Sequence, residues 1–240
     1  MVKILNKIIG FLFPPACPLC DTPVSTHGEL CADCWISINW IDNPKCVKCG
    51  YPFPEDLDLG GTPLCPTCAS GKCELDWVRS ACVYDDASRS AMLPFKHGGC
   101  VQYARFMSRA MMWALRDIDV DIDVVMPVPL ANRRLFKRGY NQATLLARPI
   151  AHVLGVAMDV GSIKRIHRPD MGHKNARERA ANIHGVFSVV NADKIRGKRI
   201  LLVDDVMTTG ATFSELRRVL VRAGAASVYG VTFCRVVRAI

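Results

Sequence analysis

The run Ile200-Leu-Leu-Val-Asp-Asp-Val-Met-Thr-Thr-Gly-Ala-Thr212 constrains the fold more than any other stretch of the chain. An apolar stretch ending in two carboxylates reads as a buried strand, Arg199–Asp204, that brings its acidic end to a surface. Thr208, Thr209 and Gly210 are small enough to turn the backbone at once into a helix beginning near Thr212. Backbone N–H groups at such a turn, backed by the positive end of the helix dipole, hold an anion. The paired aspartates just upstream can accept hydrogen bonds from vicinal hydroxyls, and phosphate beside a diol describes a ribose 5-phosphate. A plain helix cap uses one polar residue, whereas this segment places five.

A strand of that kind needs partners. From Trp77 onward the pattern alternates: strand Trp77–Tyr84, a helical turn or two over Ser88–Phe95, and helical spacing over Val101–Leu115. A short strand Ile122–Pro127, a helix Gln142–Leu154 and strands Gly185–Val190 and Arg199–Asp204 follow. The helix Thr212–Ala223 and a last strand Ser227–Val237 complete the series. Apolar strands alternating with helices predict an α/β fold whose parallel sheet is covered on both faces. Ligands bind at the carboxyl ends of such strands. The loop Leu130–Gln142, which follows Ile122–Pro127, therefore shares an edge with Asp204 and Asp205. Its cations, Arg133, Arg134, Lys137 and Arg138, suit a pyrophosphate that arginine meets with paired hydrogen bonds.

The first third of the chain obeys a different rule. Eight of the 12 cysteines form four Cys-x-x-Cys pairs: Cys17/Cys20, Cys31/Cys34, Cys46/Cys49 and Cys65/Cys68. Four thiolates at about 2.3 Å make a tetrahedral zinc site, so four pairs predict two structural zinc ions. Fifteen residues separate Cys49 from Cys65, within zinc-ribbon range. Sequential pairing is the simplest arrangement, the spacing leaves a crossed one open, and Cys73 and His27 are candidate substitute ligands. Gly50 directly after Cys49 suits a knuckle with a left-handed residue. The region is rich in Pro and Gly and poor in core residues, so the metal supplies much of its folding free energy. Cys82, Cys100 and Cys234 lie among apolar residues and read as packing. The composition shift near residues 70–76 divides the chain into residues 1–75, an N-terminal helix and double zinc ribbon, and residues 76–240.

With 240 residues, 50% of them hydrophobic, the chain has material for a large core. Its net charge of +9 favours anionic partners. Lys3 and Lys7 precede Ile8-Ile-Gly-Phe-Leu-Phe13, but this apolar run stops at Pro14, short of the ~7–15 residues of a secretory core. The spacing of Ile4, Leu5, Ile8, Ile9 and Leu12 instead suits an amphipathic helix. No apolar run approaches the ~20 residues of a membrane span. Reduced thiols and no leader point to the cytoplasm.

The Asp204–Thr212 block resembles the 5-phosphoribosyl 1-pyrophosphate signature of type I phosphoribosyltransferases. Together with Pro127-Val-Pro-Leu130, Arg138-Gly-Tyr-Asn-Gln142 and the cysteine module, it resembles the ComF family across nearly the whole chain. Arg179, Asn182, Gly185 and Phe187 match that family's Arg-x-x-Asn-x-x-Gly-x-Phe pattern. Met171 or His173 stands where many relatives carry a glutamine.

The resemblance implies a type I phosphoribosyltransferase fold behind a zinc ribbon, and a link to DNA uptake in competence. It implies displacement of pyrophosphate from C1 of the ribose by an unidentified nitrogen nucleophile, with Mg²⁺ held by substrate oxygens and water. Asp204 and Asp205 would fix the 2- and 3-hydroxyls and place negative charge near the developing cation. Met207, Thr208, Thr209, Gly210, Ala211 and Thr212 would cradle the 5-phosphate. Arg133, Arg134 and Arg138 would meet the pyrophosphate, and Lys96, in Leu93-Pro-Phe-Lys-His-Gly98, matches a lysine the family places near the phosphates. His167, His173 and His184, in the segment expected to hood the site, read as surface or packing residues. A second function class is a non-catalytic accessory protein whose zinc module binds single-stranded DNA or a competence partner.

Overall fold

The computed structural model describes residues 14–54, 56, 60–71, 73, 75–166 and 184–237. The expected N-terminal helix and Met171, His167, His173, Arg179 and Asn182 lie outside the described residues.

The cysteine module carries two short helices, α1 (Ala32–Ser37) and α2 (Pro66–Ala69), each starting directly after a cysteine of a Cys-x-x-Cys pair. Beyond it, five parallel strands form the central sheet: β1 (Val78–Val83), β2 (Val124–Pro127), β3 (Ala157–Met158), β6 (Arg199–Met207) and β7 (Ser227–Arg235), in the order β1-β7-β6-β2-β3. Each face is packed. Leu201, Val203, Val231 and Phe233 meet α3 (Asp86–His97), α4 (Tyr103–Ala114) and α6 (Gln142–Leu154) through Phe95, Met107, Met111, Leu146 and Ile150. Ile200, Leu202, Val124 and Val228 meet α7 (Ala211–Arg222) through Phe213, Leu216 and Leu220. Successive residues of β6 thus alternate between two cores, which is why its sequence reads as an unbroken apolar run.

Several boundaries differ from the sequence expectation. β6 continues to Met207 because β7 pairs it that far, with Val206 opposite Cys234 and Met207 opposite Arg235. On its other side the ladder with β2 ends at Pro127 opposite Val203. Pro129 has no N–H with which to extend that ladder. The acidic end of β6 therefore overhangs β2 and opens a crevice. The expected loop Leu130–Gln142 contains a helix, α5 (Asn132–Arg138), since Arg, Leu and Lys are good helix formers until Gly139 ends it. The expected strand Gly185–Val190 shortens to β5 (Phe187–Val189) and pairs antiparallel with β4 (Ile163–Arg165), outside the parallel sheet.

The cysteine module covers the edge strand β1. Ile41 and Val83 N–H groups donate to Ala81 and Asn39 carbonyls at 2.9 and 2.8 Å, and Val78 N–H donates to Lys48 at 2.8 Å. These bonds satisfy backbone groups an open edge would expose. The buried Lys45 adds an ion pair to Asp117 at 3.0 Å. Among the described residues no helix is long and apolar enough to cross a membrane.

Candidate functional site

Asp204 and Asp205 stand at the overhanging end of β6. Asp205 Oδ1 lies 3.3 Å from Nζ of Lys96, in the last turn of α3, and both side chains are mostly buried. The Asp205 N–H donates to Asp204 Oδ1 at 2.9 Å. Burial first, and then the charge of Asp205, push the Asp204 carboxyl up to about 8, with Lys96 and Arg165 acting against the rise. Lys96 thus pairs with Asp205, beside an Asp204 whose charged form burial disfavours. Arg165, on β4, is a residue that the linear sequence did not single out: its charge acts on Asp204 while its guanidinium lies over the Phe187 ring of the paired strand β5.

Beyond Met207 the chain turns through Thr208 and Thr209 into α7. Gly210 is the N-cap, at φ +79, a left-handed position costly for other residues, and no side chain caps the helix. The Ala211 N–H meets Thr209 Oγ1 at 3.4 Å. A helix N-terminus without a side-chain cap, backed by its dipole, is suited to an anion.

Arg138-Gly-Tyr-Asn-Gln142 acts as a brace. The Tyr140 hydroxyl donates to the Phe95 carbonyl at 2.6 Å, and Gln142 Nε2 donates to the Lys96 carbonyl at 3.3 Å. Arg138 Nη1 donates to Gln142 Oε1 at 3.0 Å. Asn141 caps α6 by accepting from the Ala143 N–H, and donates to the Val128 carbonyl. The C-terminal end of α3, and Lys96 with it, is thereby fixed against the loop after β2. Lys96, Arg134 and Arg138 line a cavity of about 290 Å³ with Tyr140 and His97. Arg133 is exposed on α5 and is not among the lining residues.

On the other side of the turn, buried Glu215 of α7 accepts from the Gly185 N–H at 2.6 Å and pairs with Arg218 at 2.6 Å. His184 Nδ1 lies 3.4 Å away from the same carboxylate. Glu215, also not singled out in the sequence, thus fastens the chain entering β5 to the helix behind the Thr208–Gly210 turn.

The eight paired cysteines form two clusters, Cys17/Cys20/Cys31/Cys34 and Cys46/Cys49/Cys65/Cys68, with the sulfurs of each within 4.8 Å of one another. The grouping is sequential. Cys20 and Cys31 sulfurs are 3.4 Å apart and Cys49 and Cys65 sulfurs 3.6 Å, close to the ~3.8 Å edge of a tetrahedron with 2.3 Å metal–sulfur bonds. The donor set therefore fits zinc. The two knuckles repeat one design. Cys17 N–H bonds to Thr22 and Asp21 N–H to Cys17, as Cys46 N–H bonds to Tyr51 and Gly50 N–H to Cys46. The left-handed position is Asp21 in the first and Gly50 in the second, at φ 59 and 65. Cys73 packs against the second cluster without belonging to its four sulfurs. Cys82 and Cys234 are fully buried partners in register, 3.4 Å apart at sulfur, as packing residues would be.

Comparison with known proteins yields two family matches: a double zinc ribbon domain over residues 8–71 and a phosphoribosyl transferase domain over residues 140–238. The DNA utilization protein YhgH of Salmonella typhimurium is 30% identical over 234 residues, covering 92% of this chain and 97% of that protein. Competence protein ComFC of Bacillus subtilis is 27% identical over 96% of this chain and 99% of its own. A glutamine phosphoribosylpyrophosphate amidotransferase structure from B. subtilis aligns with 64% of this chain and 31% of that chain, at 19% identity and a TM-score of 0.40. The two four-cysteine clusters and the double zinc ribbon match support two structural zinc ions.

Proposed function

The chain belongs to the ComF family, in which a double zinc ribbon is joined to a phosphoribosyltransferase domain, and we propose that it binds 5-phosphoribosyl 1-pyrophosphate and transfers its ribose 5-phosphate to a nitrogen acceptor. The observation that carries this reading is the juxtaposition of Asp204 and Asp205 with Lys96 on one side and the uncapped start of α7 on the other. In this reading the diol hydroxyls donate to Asp204 and Asp205, and the 5-phosphate lies on the N–H groups of residues 207–212. Thr208, Thr209 and Thr212 hydroxyls complete its shell. The pyrophosphate lies toward Lys96, Arg134 and Arg138, whose cavity gathers cations with bidentate donors. Arg133 would join them from the exposed face of α5.

Mg²⁺ would enter with the substrate, held by phosphate oxygens and water as this ion prefers. The chain's own part is to hold the ribose still, neutralise the leaving group and face the sugar carbon with carboxylate charge. Asp204, whose carboxyl burial and the Asp205 charge push up to about 8, would stand beside Asp205 facing the ribose carbon. Calorimetric titration of the whole protein with phosphoribosyl pyrophosphate and Mg²⁺ tests this: saturable binding supports it, and none with zinc-loaded protein overturns it.

We further propose that residues 1–75 form the zinc module, that residues 76–240 form the transferase-like unit, and that the protein works in the cytoplasm, where zinc-bound thiols stay reduced. The names of the relatives favour a second reading, an accessory role in DNA uptake in which the zinc module contacts single-stranded DNA or a competence partner. Binding of DNA without any binding of phosphoribosyl pyrophosphate would favour it.

A further inference from the structure

We propose that Arg235 ties the second cysteine cluster to the phosphate turn, so that metal in that cluster sets the position of residues 207–212. Arg235 is the last residue of β7 and is 5% exposed. Its Nη1 donates to the Cys49 carbonyl at 2.5 Å and lies 3.8 Å from the Cys49 sulfur, and its guanidinium stands 5.2 Å from the Tyr51 ring. Its backbone does the other half. Arg235 is the register partner of Met207, and the next N–H, Val236, donates to the Met207 carbonyl at 2.9 Å. One residue therefore spans from a metal-ligand knuckle to the residue that begins the turn. Elsewhere cluster and turn face each other across a cavity of about 410 Å³ lined by both, including Thr67, Thr208 and Ser214.

The charge balance explains why the metal matters. A buried guanidinium needs a counter-charge. Arg235 forms no ion pair with a carboxylate among the described residues, and its Nε has no hydrogen-bond partner among them. Four thiolates around one divalent ion carry a net negative charge, and N–H donors beside such sulfurs hold them in place. Withdrawal of the ion takes away its charge and frees the four sulfurs, and with them the Cys46–Cys49 knuckle whose carbonyl holds Arg235. Departure of Arg235 would loosen the Met207 pairing and, with it, the turn. The tie does not depend on what the turn binds.

Hydrogen exchange on the full chain, read by mass spectrometry, tests this without any ligand. Zinc withdrawal from wild type should raise exchange over residues 207–212 about ten-fold or more, the loss expected for one charged hydrogen bond, with residues 199–203 unchanged. Cys20→Ser, which empties only the first cluster, should leave the turn as in wild type. Metal-loaded Arg235→Met should show the raised exchange already and release one zinc faster to a chelator. Arg235→Lys, which keeps the charge but not the fork, should fall between. A turn indifferent to zinc withdrawal in wild type overturns the proposal, whatever the variants do. So does a rise that is equal over residues 199–203, or an Arg235→Met protein matching wild type in both exchange and zinc release.

Discussion

Lys96 Nζ lies 3.3 Å from Asp205 Oδ1, which joins the C-terminal turn of α3 to the acidic end of β6 across the crevice where the β2 ladder has stopped. The pair has a cost as well as a use. Neither group is fully solvated, and each holds the other until a ligand with both hydroxyls and phosphates offers each a separate partner.

Asp205→Asn should therefore weaken phosphoribosyl pyrophosphate binding while the fold survives. A hydrogen bond to a charged acceptor contributes roughly 1.5–3 kcal/mol, so calorimetry should read a loss of about ten-fold or more. Unchanged binding by a folded variant would remove the diol contact from the proposed site. Unfolding would assign Asp205 to the cap of the turn instead.

Asp204 gives stability a pH signature. Its carboxyl titrates at about 8 in the fold against 3.8 for an ordinary aspartate, so between those values the folded chain holds a proton that the unfolded chain lacks. The contribution is full below the unfolded value and is lost as pH rises through the folded one. Asp204→Asn cannot ionise. Its stability relative to wild type should grow between about pH 6 and pH 8, by at most about 1.4 kcal/mol per pH unit, in urea unfolding at each pH. A gap independent of pH would mean that Asp204 is ionised in the fold.

Metal content is the third expectation. Protein purified without added metal should carry about two zinc ions per chain by elemental analysis, as expected for two four-cysteine clusters. Cys46→Ser should lose one of them and destabilise the second knuckle while the parallel sheet persists in circular dichroism. Zinc near zero, with disulfides found by mass spectrometry, would overturn both the metal and the reducing compartment.

Glu215 tests the cover of the site. Removing its carboxylate takes away the acceptor of the Gly185 N–H and the ion-pair partner of Arg218, a loss of about 1 kcal/mol for the hydrogen bond to a partly buried N–H. Glu215→Ala should speed amide exchange at residues 184–187 and leave β6 protected, whereas Glu215→Gln, which keeps an oxygen acceptor, should stay closer to wild type. Identical exchange in Glu215→Ala would show that β5 is held by its own packing through Phe187.

What the sequence by itself determined was local and periodic. The alternating cores along Ile200–Val203, the turn at Thr208–Gly210 and the two-residue spacing of each cysteine pair are patterns a few residues long, with a geometry that backbone sterics and metal coordination dictate without help from elsewhere. From them the α/β class, the parallel sheet and the ribbon module were legible.

Tertiary structure decided everything that depends on residues far apart in the chain. Asp204 does not stop β6, because β7 goes on pairing it while Pro127 and Pro129 end the ladder on the β2 side. The Leu130–Gln142 segment winds into α5, which good helix formers carry as far as Gly139. Lys96 meets Asp205 only after Tyr140 and Gln142 brace the end of α3, and Arg165 lies over Phe187 only after β4 and β5 pair. Arg235, one cation among many in the sequence, is set apart by its burial beside Cys49 without a carboxylate partner among the described residues. Charge has no period and contact between distant residues leaves no spacing to read, so the energetic cost of burying a charge, which decides where these side chains lie, exists only once the chain has folded.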